Sequence, residues 1–164
     1  IFIVVYPILA YVYFIWKGNS FVKERSKKQN TVTYIAMGFM LLILLVIVYE
    51  LKSSLNDNEI KVDAQKIEIT GDYGMNINRS DVKSIELLDK LPEISFKTNG
   101  FALGSVKKGY FKTTTDESVK LVINSKATPI ILITTADNQK IYYSSKEKSN
   151  EEIYNNLNGK IKIN

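Results

Sequence analysis

The sequence predicts a membrane-anchored all-β protein: two transmembrane helices, then an antiparallel β-barrel with a C-terminal capping helix. Three observations carry that expectation. Residues 1–16 and 31–49 are apolar runs without a single Asp, Glu, Lys or Arg. Residues 17–30, between them, read KGNSFVKERSKKQN. From residue 65 onward, apolar side chains alternate in short segments broken by Gly, Asn, Asp and Pro, the pattern of half-buried strands and their turns.

Spanning hydrocarbon as a helix takes about 20 mostly apolar residues. The run 31–49 meets this, and from Met40 to Val48 it is Met, Leu, Ile and Val throughout. It has no polar stripe of the kind a soluble helix shows every three to four residues. Tyr34 and Tyr49 stand near its ends, where amphipathic rings favour the membrane–water boundary. The run 1–16 is shorter and contains Pro7, which membrane helices tolerate. The chain starts without Met, so this first helix is expected to be truncated. A signal peptide is disfavoured, because the cations follow the apolar stretch and Gly18-Asn19-Ser20 is a poor cleavage site.

The loop 17–30 sets the expected topology. Lys17, Lys23, Arg25, Lys27 and Lys28 face Glu24 alone, giving +4 of the chain's +5 formal charge. Short cationic loops remain in the cytoplasm. The 31–49 span then leads outward, and the C-terminal domain is extracytoplasmic. The abundant Lys, Asn and Ile fit an AT-rich bacterial genome, so the expected location is a bacterial cell membrane, crossed more than once. The bilayer is the first expected partner.

Composition removes several classes of function. Residues 50–164 carry only +1, with Arg79 their one arginine. A nucleic-acid binder would concentrate cations on the domain itself, so no nucleic-acid partner is expected. The chain has neither Cys nor His. Disulfides, thiol nucleophiles, thiolate metal sites and imidazole bases are therefore absent.

The elements follow in order. Residues 50–64 are polar and read as a linker or an extension of the second helix, ahead of a domain over 65–164. Strands are predicted over 65–70, 75–78, 82–88, 93–98, 101–103, 109–115, 118–124, 129–135 and 141–143. Gly71-Asp72-Tyr73-Gly74, Arg79-Ser80-Asp81, Asp116-Glu117 and Asp137-Asn138 supply turns, and Asn99-Gly100 reads as a hairpin dipeptide. Residues 130–133 are continuously apolar and are expected to lie centrally. Ser149-x-x-Glu152 reads as a capping box, with Asn150 an alternative cap. Ile153, Tyr154 and Leu157 then fall at helical spacing, and Asn158-Gly159 supplies a stop.

Strands closed by a final helix outline a pleckstrin-homology (PH) barrel. The chain resembles bacterial membrane proteins with a PH-like domain, over about residues 60–158. The resemblance rests on I-x-I-x-G-x-Y-G from Ile67, S-D-V from Ser80, L-P-E-I from Leu91 and T-N-G from Thr98. G-Y-F from Gly109, P-I-I-L-I from Pro129 and I-Y-x-x-L from Ile153 complete it. It implies a PH-like fold behind membrane helices. It implies no activity, so it transfers no functional residue.

Candidate site residues are few. Lys107 and Lys108, beside Gly104 and Gly109, form the one basic loop of note and are the candidate ligand loop. Phosphoinositide binding is disfavoured, because the first hairpin, Thr70 to Met75, is acidic rather than basic. The acids Asp72, Asp81, Asp89, Asp116 and Asp137 sit in apparent turns, where Asp bonds local backbone; Asp63 does not. Ser105 and Ser118 lack a recognisable base, and Ala36 and Gly38 offer only a slight helix-packing face. No catalytic residue, cofactor or metal ligand is assigned. The expected role is an interaction module that binds another protein or peptide, by edge-strand pairing. The alternative is an envelope sensor or signalling accessory that reads a lipid or small ligand. Catalysis ranks behind both.

Overall fold

The structure is a computed structural model and describes residues 9–14, 16–17 and 27–161, with side chains of the last segment from Thr31 onward. The chain divides into two compact units, Ile1–Leu51 and Lys52–Asn164.

In the first unit, residues 9–14 and 16–17 are helical. The rings of Tyr13 and Trp16 lie 6.2 Å apart, and the Lys17 ammonium stands 5.8 Å from the Tyr13 ring centre. Helix α1 runs Lys27–Leu55. Its strong helix formers and lack of proline let it run past both predicted ends. Its stretch Thr31–Leu55 is, among the described residues, the one helix long and apolar enough to cross a membrane. Its large apolar side chains are exposed on every side, from Val32 and Phe39 to Leu45 and Tyr49. The first expected span and the 17–30 loop lie largely outside the described residues, including Pro7, Lys23 and Arg25. Lys27 and Lys28 open α1 rather than end a loop.

Among its described residues the second unit holds nine strands. They are β1 (Ile60–Val62), β2 (Lys66–Ile69), β3 (Met75–Asn78), β4 (Val82–Leu88) and β5 (Ile94–Leu103). Then come β6 (Val106–Thr113), β7 (Ser118–Ile123), β8 (Ile130–Thr135) and β9 (Lys140–Ser144), followed by helix α2 (Asn150–Lys160). They form a three-stranded sheet, β1-β2-β3, and a six-stranded sheet, β4-β8-β9-β7-β6-β5.

This corrects the expected closed antiparallel barrel: among the described residues there are two sheets and no closure. The cause is β9. It inserts between β8 and β7 and runs parallel to β7, pairing Leu121 with Tyr142, so the consecutive strands β7 and β8 do not pair. β4 and β5 are left as the outer strands, and α2 packs against β4.

The six-stranded sheet is buried on both faces at its centre. Ile131, Ile133, Ile141, Tyr143 and Val122 face the small sheet (Ile67, Ile69, Ile77) and the helical Leu157. Leu121, Ile123, Leu132, Tyr142 and Phe111 face the other way, covered by Leu88, Leu91 and Ile94. Two-sided burial explains why residues 130–133 are continuously apolar.

Four local readings change. β1, in the presumed linker, is a short strand that pairs Ile60 with Ile69. Asn99-Gly100 is not a turn: β5 runs straight through it, and the hairpin turns at Gly104-Ser105. Gly100 instead faces Gly109 across the ladder, where a Cβ on Gly109 would stand 2.3 Å from the Asn99 carbonyl oxygen. The pair is therefore a close backbone approach. Ser149 precedes α2 but makes no side-chain cap bond, and the helix continues through Asn158-Gly159 to Lys160.

Candidate functional site

Lys107 and Lys108 both lie in β6, not in a loop. Successive strand residues point to opposite faces, and that separates them.

Lys108 is 1% exposed, and its Nζ donates to the carbonyl oxygen of Asn56, just beyond the end of α1. A helix C-terminus presents unpaired carbonyls and partial negative charge, so a cation there is stabilising. Burial pushes the Lys108 ammonium below its ordinary pKa, while Asp72 and Asp57 act the other way. Lys120, on the same face of neighbouring β7, is also buried and shifted down by desolvation. Its Nζ donates to Gly74 O at 3.3 Å and sits 5.1 Å from the Tyr110 ring centre.

Around Lys108 the polar groups are used structurally. Ser54 Oγ donates to Asp72 Oδ2 at 2.9 Å. Asn58 Nδ2 donates to Asp72 O at 3.0 Å and to Thr70 O, and the Tyr143 hydroxyl donates to Asn58 O. Asp57 accepts from Ser145 Oγ at 2.6 Å and from the amides of Lys146 and Glu147. These bonds lock the segment after α1 to the sheet.

Lys107 points elsewhere. It lines a cavity of about 260 Å³ where the ends of β4, β5, β6, β7 and β8 meet. Asp89, Lys90 and Leu91 contribute from the segment after β4, and Gly104 and Ser105 from the β5–β6 turn. Ile123, Ser125, Lys126, Thr128 and Ile130 contribute from the β7–β8 connection and its flanks. That connection is held from behind: Asn124 Nδ2 donates to Ser144 O at 2.9 Å, and Ser125 Oγ donates to Ser145 O at 2.8 Å. The cavity therefore has an apolar wall, Leu91, Ile123 and Ile130, and a rim of three lysines with one carboxylate.

Elsewhere on the domain, Lys66, Lys112, Lys140 and Lys148 each pair with a carboxylate. Among the described residues, Lys90, Lys107 and Lys126 pair with none, as is also true of Lys61, Lys83 and Lys97. The sequence reading found Lys107 but missed Lys90 and Lys126, which lie 17 and 19 residues away in chain order. Only the crossing of strand ends brings them together.

A second cavity, about 290 Å³, lies between β3 and the β8–β9 turn and includes Asp81 and Asp137. Its acids are already engaged. Asp81 accepts from Asn78 Nδ2 at 2.8 Å, and Asp137 accepts from the Thr135 hydroxyl, which holds its carboxyl below the usual range. Asp63 accepts the amides of Gln65 and Lys66, both at 2.8 Å, and its pKa is lowered chiefly by those bonds. Asp116 adopts a positive φ of 61° and pairs with Lys112. Asp63 thus bonds local backbone in a turn, the role expected of the other acids. Among the described residues, no group of three or more His, Cys, Asp or Glu is placed to hold a metal ion.

Strand β5 is the remaining feature with functional character. Among the described residues it pairs with β6 alone, leaving the other edge of a ten-residue strand open. Residues 95–99 are exposed, Phe96 to 55%, with Leu103 at 42% and Tyr110 beside them at 38%. No family model, curated protein or solved structure matches the chain.

Proposed function

We propose that the chain is a membrane-tethered, non-catalytic interaction module that binds an extended segment of another protein along β5. The observation that carries this reading is the open edge of β5. An unpaired strand edge presents N–H and C=O groups that an added strand satisfies, while exposed side chains supply selectivity. Phe96 and Leu103 are the apolar anchors such a strand would cover. Lys97, in the exposed stretch, is the charge that discourages indiscriminate pairing.

The tether is α1, proposed as the second of two spans in a bacterial cell membrane. The loop 17–30 stays in the cytoplasm through Lys17, Lys23, Arg25, Lys27 and Lys28, and the β-domain faces outward. Support for a permanent anchor over a removed leader comes from the last turn of α1. Ser54, within that turn, bonds Asp72 of the domain, so the helix end is part of the domain's structure. The PH-like resemblance stands as a proposal of lineage. The helix after the last strand favours it, and the parallel β7–β9 pair weighs against it.

The second reading, an accessory that reads a lipid or small ligand, is favoured by the lysine-rimmed cavity. The test of edge pairing uses a photo-crosslinking residue at Phe96 in the full chain in native membranes, with the same residue at Lys83, on β4, as control. A discrete adduct with another protein at Phe96 and none at Lys83 is expected. No adduct, or equal labelling at both positions, would remove edge pairing as the role.

A further inference from the structure

We infer that the cavity at the Gly104 end of the six-stranded sheet binds a small amphiphile bearing a phosphate monoester head. The inference stands apart from β5 pairing, because it uses a different surface and different side chains.

The cations come first. Lys90, Lys107 and Lys126 arrive from three separate segments to line one cavity, and no ion pair among the described residues engages them. Asp89 is the one carboxylate in the lining. An anion in the cavity supplies the counter-ion that, Asp89 apart, the lining does not. The net charge of the lining is +2, which matches a phosphate monoester at neutral pH, about −1.5 to −2, better than a carboxylate. Lysine serves phosphate as a mobile point charge and donor, without the fork geometry that selects planar carboxylates.

The apolar wall supplies the rest of the ligand's description. Ile123 and Ile130 are buried residues that nonetheless line the cavity, and Leu91 lies beside them. A free inorganic ion would leave that wall wet, whereas a short hydrocarbon body would cover it. At about 260 Å³ the space is below the usual range for drug-sized ligands, about 300–1,000 Å³. The body is therefore short, or it is only the first part of a longer chain that continues outside. A soluble phosphoester and a phosphatidic-acid headgroup share this chemistry.

The test is titration calorimetry on the full chain held in phosphatidylcholine nanodiscs, with hexyl phosphate, hexanoate and inorganic phosphate as probes. Saturable hexyl phosphate binding is expected, with inorganic phosphate and hexanoate each about tenfold weaker. Lys107→Gln and Lys126→Gln should each weaken hexyl phosphate about tenfold. Lys107→Arg should restore most of it, and Lys61→Gln, on β1 and outside the cavity, should leave hexyl phosphate binding unchanged. The inference fails if hexyl phosphate does not saturate up to about 10 mM. It fails equally if the glutamine variants bind like the parent, or if either control probe binds as well. Repeating the titration in discs containing phosphatidic acid separates the sources. Lost hexyl phosphate binding assigns the cavity to the lipid, and unchanged binding assigns it to a soluble phosphoester.

Discussion

Lys107 and Lys108 are neighbours in sequence with opposite fates. Lys107 reaches a cavity rim, while Lys108 is buried against the carbonyl end of a helix. Burial of Lys108 has a pH signature. Its folded-state pKa lies below its ordinary 10.5, so the penalty for the charged form is present in full below the folded value. That penalty fades as pH rises toward 10.5, and stability rises across the window; Lys120 acts with the same sign. Tyr143 opposes both above its ordinary 10.0, because the unfolded phenol ionises while burial keeps the folded one protonated. Denaturant unfolding of the full chain should therefore show stability climbing as alkaline pH approaches the ordinary lysine value from below. Lys108→Met should flatten that climb, and an unchanged slope would place the titration on another group. The sequence marked both lysines as a candidate ligand loop because glycines flank them. It could not reveal that β6 runs through both positions and turns one side chain inward.

At the scale of elements, strands were legible wherever one of two faces is buried. Val119, Leu121 and Ile123 alternate because they share the second core, and the alternation marks β7 without reference to its partner. Pairing is another matter. Period-two patterning is identical for parallel and antiparallel neighbours, so the β7–β9 pair left no trace in the sequence. The Asn99-Gly100 dipeptide misled for a similar reason. Glycine permits a turn, but it equally permits the close approach that Gly100 and Gly109 make. Strand β1 is three residues long, too short for periodicity to register. Helix α2 was visible through Leu157, which is 0% exposed and packs with Ile131 and Ile133 in the first core. Leu157→Ala should cost about 2–5 kcal/mol in unfolding measurements. Ile153→Ala should cost less, since Ile153 is only partly buried. Equal and negligible effects would mean that α2 adds nothing to the core.

For the whole molecule, the outstanding quantity is sidedness. The proposed orientation depends on five cations in one short segment. External protease on intact spheroplasts should digest the β-domain and spare the 17–30 segment. Lys27→Glu with Lys28→Glu should reduce or invert that pattern, because the retained positive charge is what resists translocation. A domain protected in the unmodified protein would reverse the assignment. The long apolar helix and the β-rich class were readable in advance, since both depend on local composition. The cavity was not, since its lysines converge only where β4 and β7 end and β6 begins, at one end of the same sheet.

The placement of β9 also sets the order in which the large sheet can be completed as the chain folds. Until residues 140–144 pair, β4–β8 and β5–β6–β7 are separate ribbons with no ladder joining them. Each then exposes, at β8 or β7, an interior edge that the finished protein never shows. A chain folded only as far as β8 is thus the form most exposed to pairing with its neighbours.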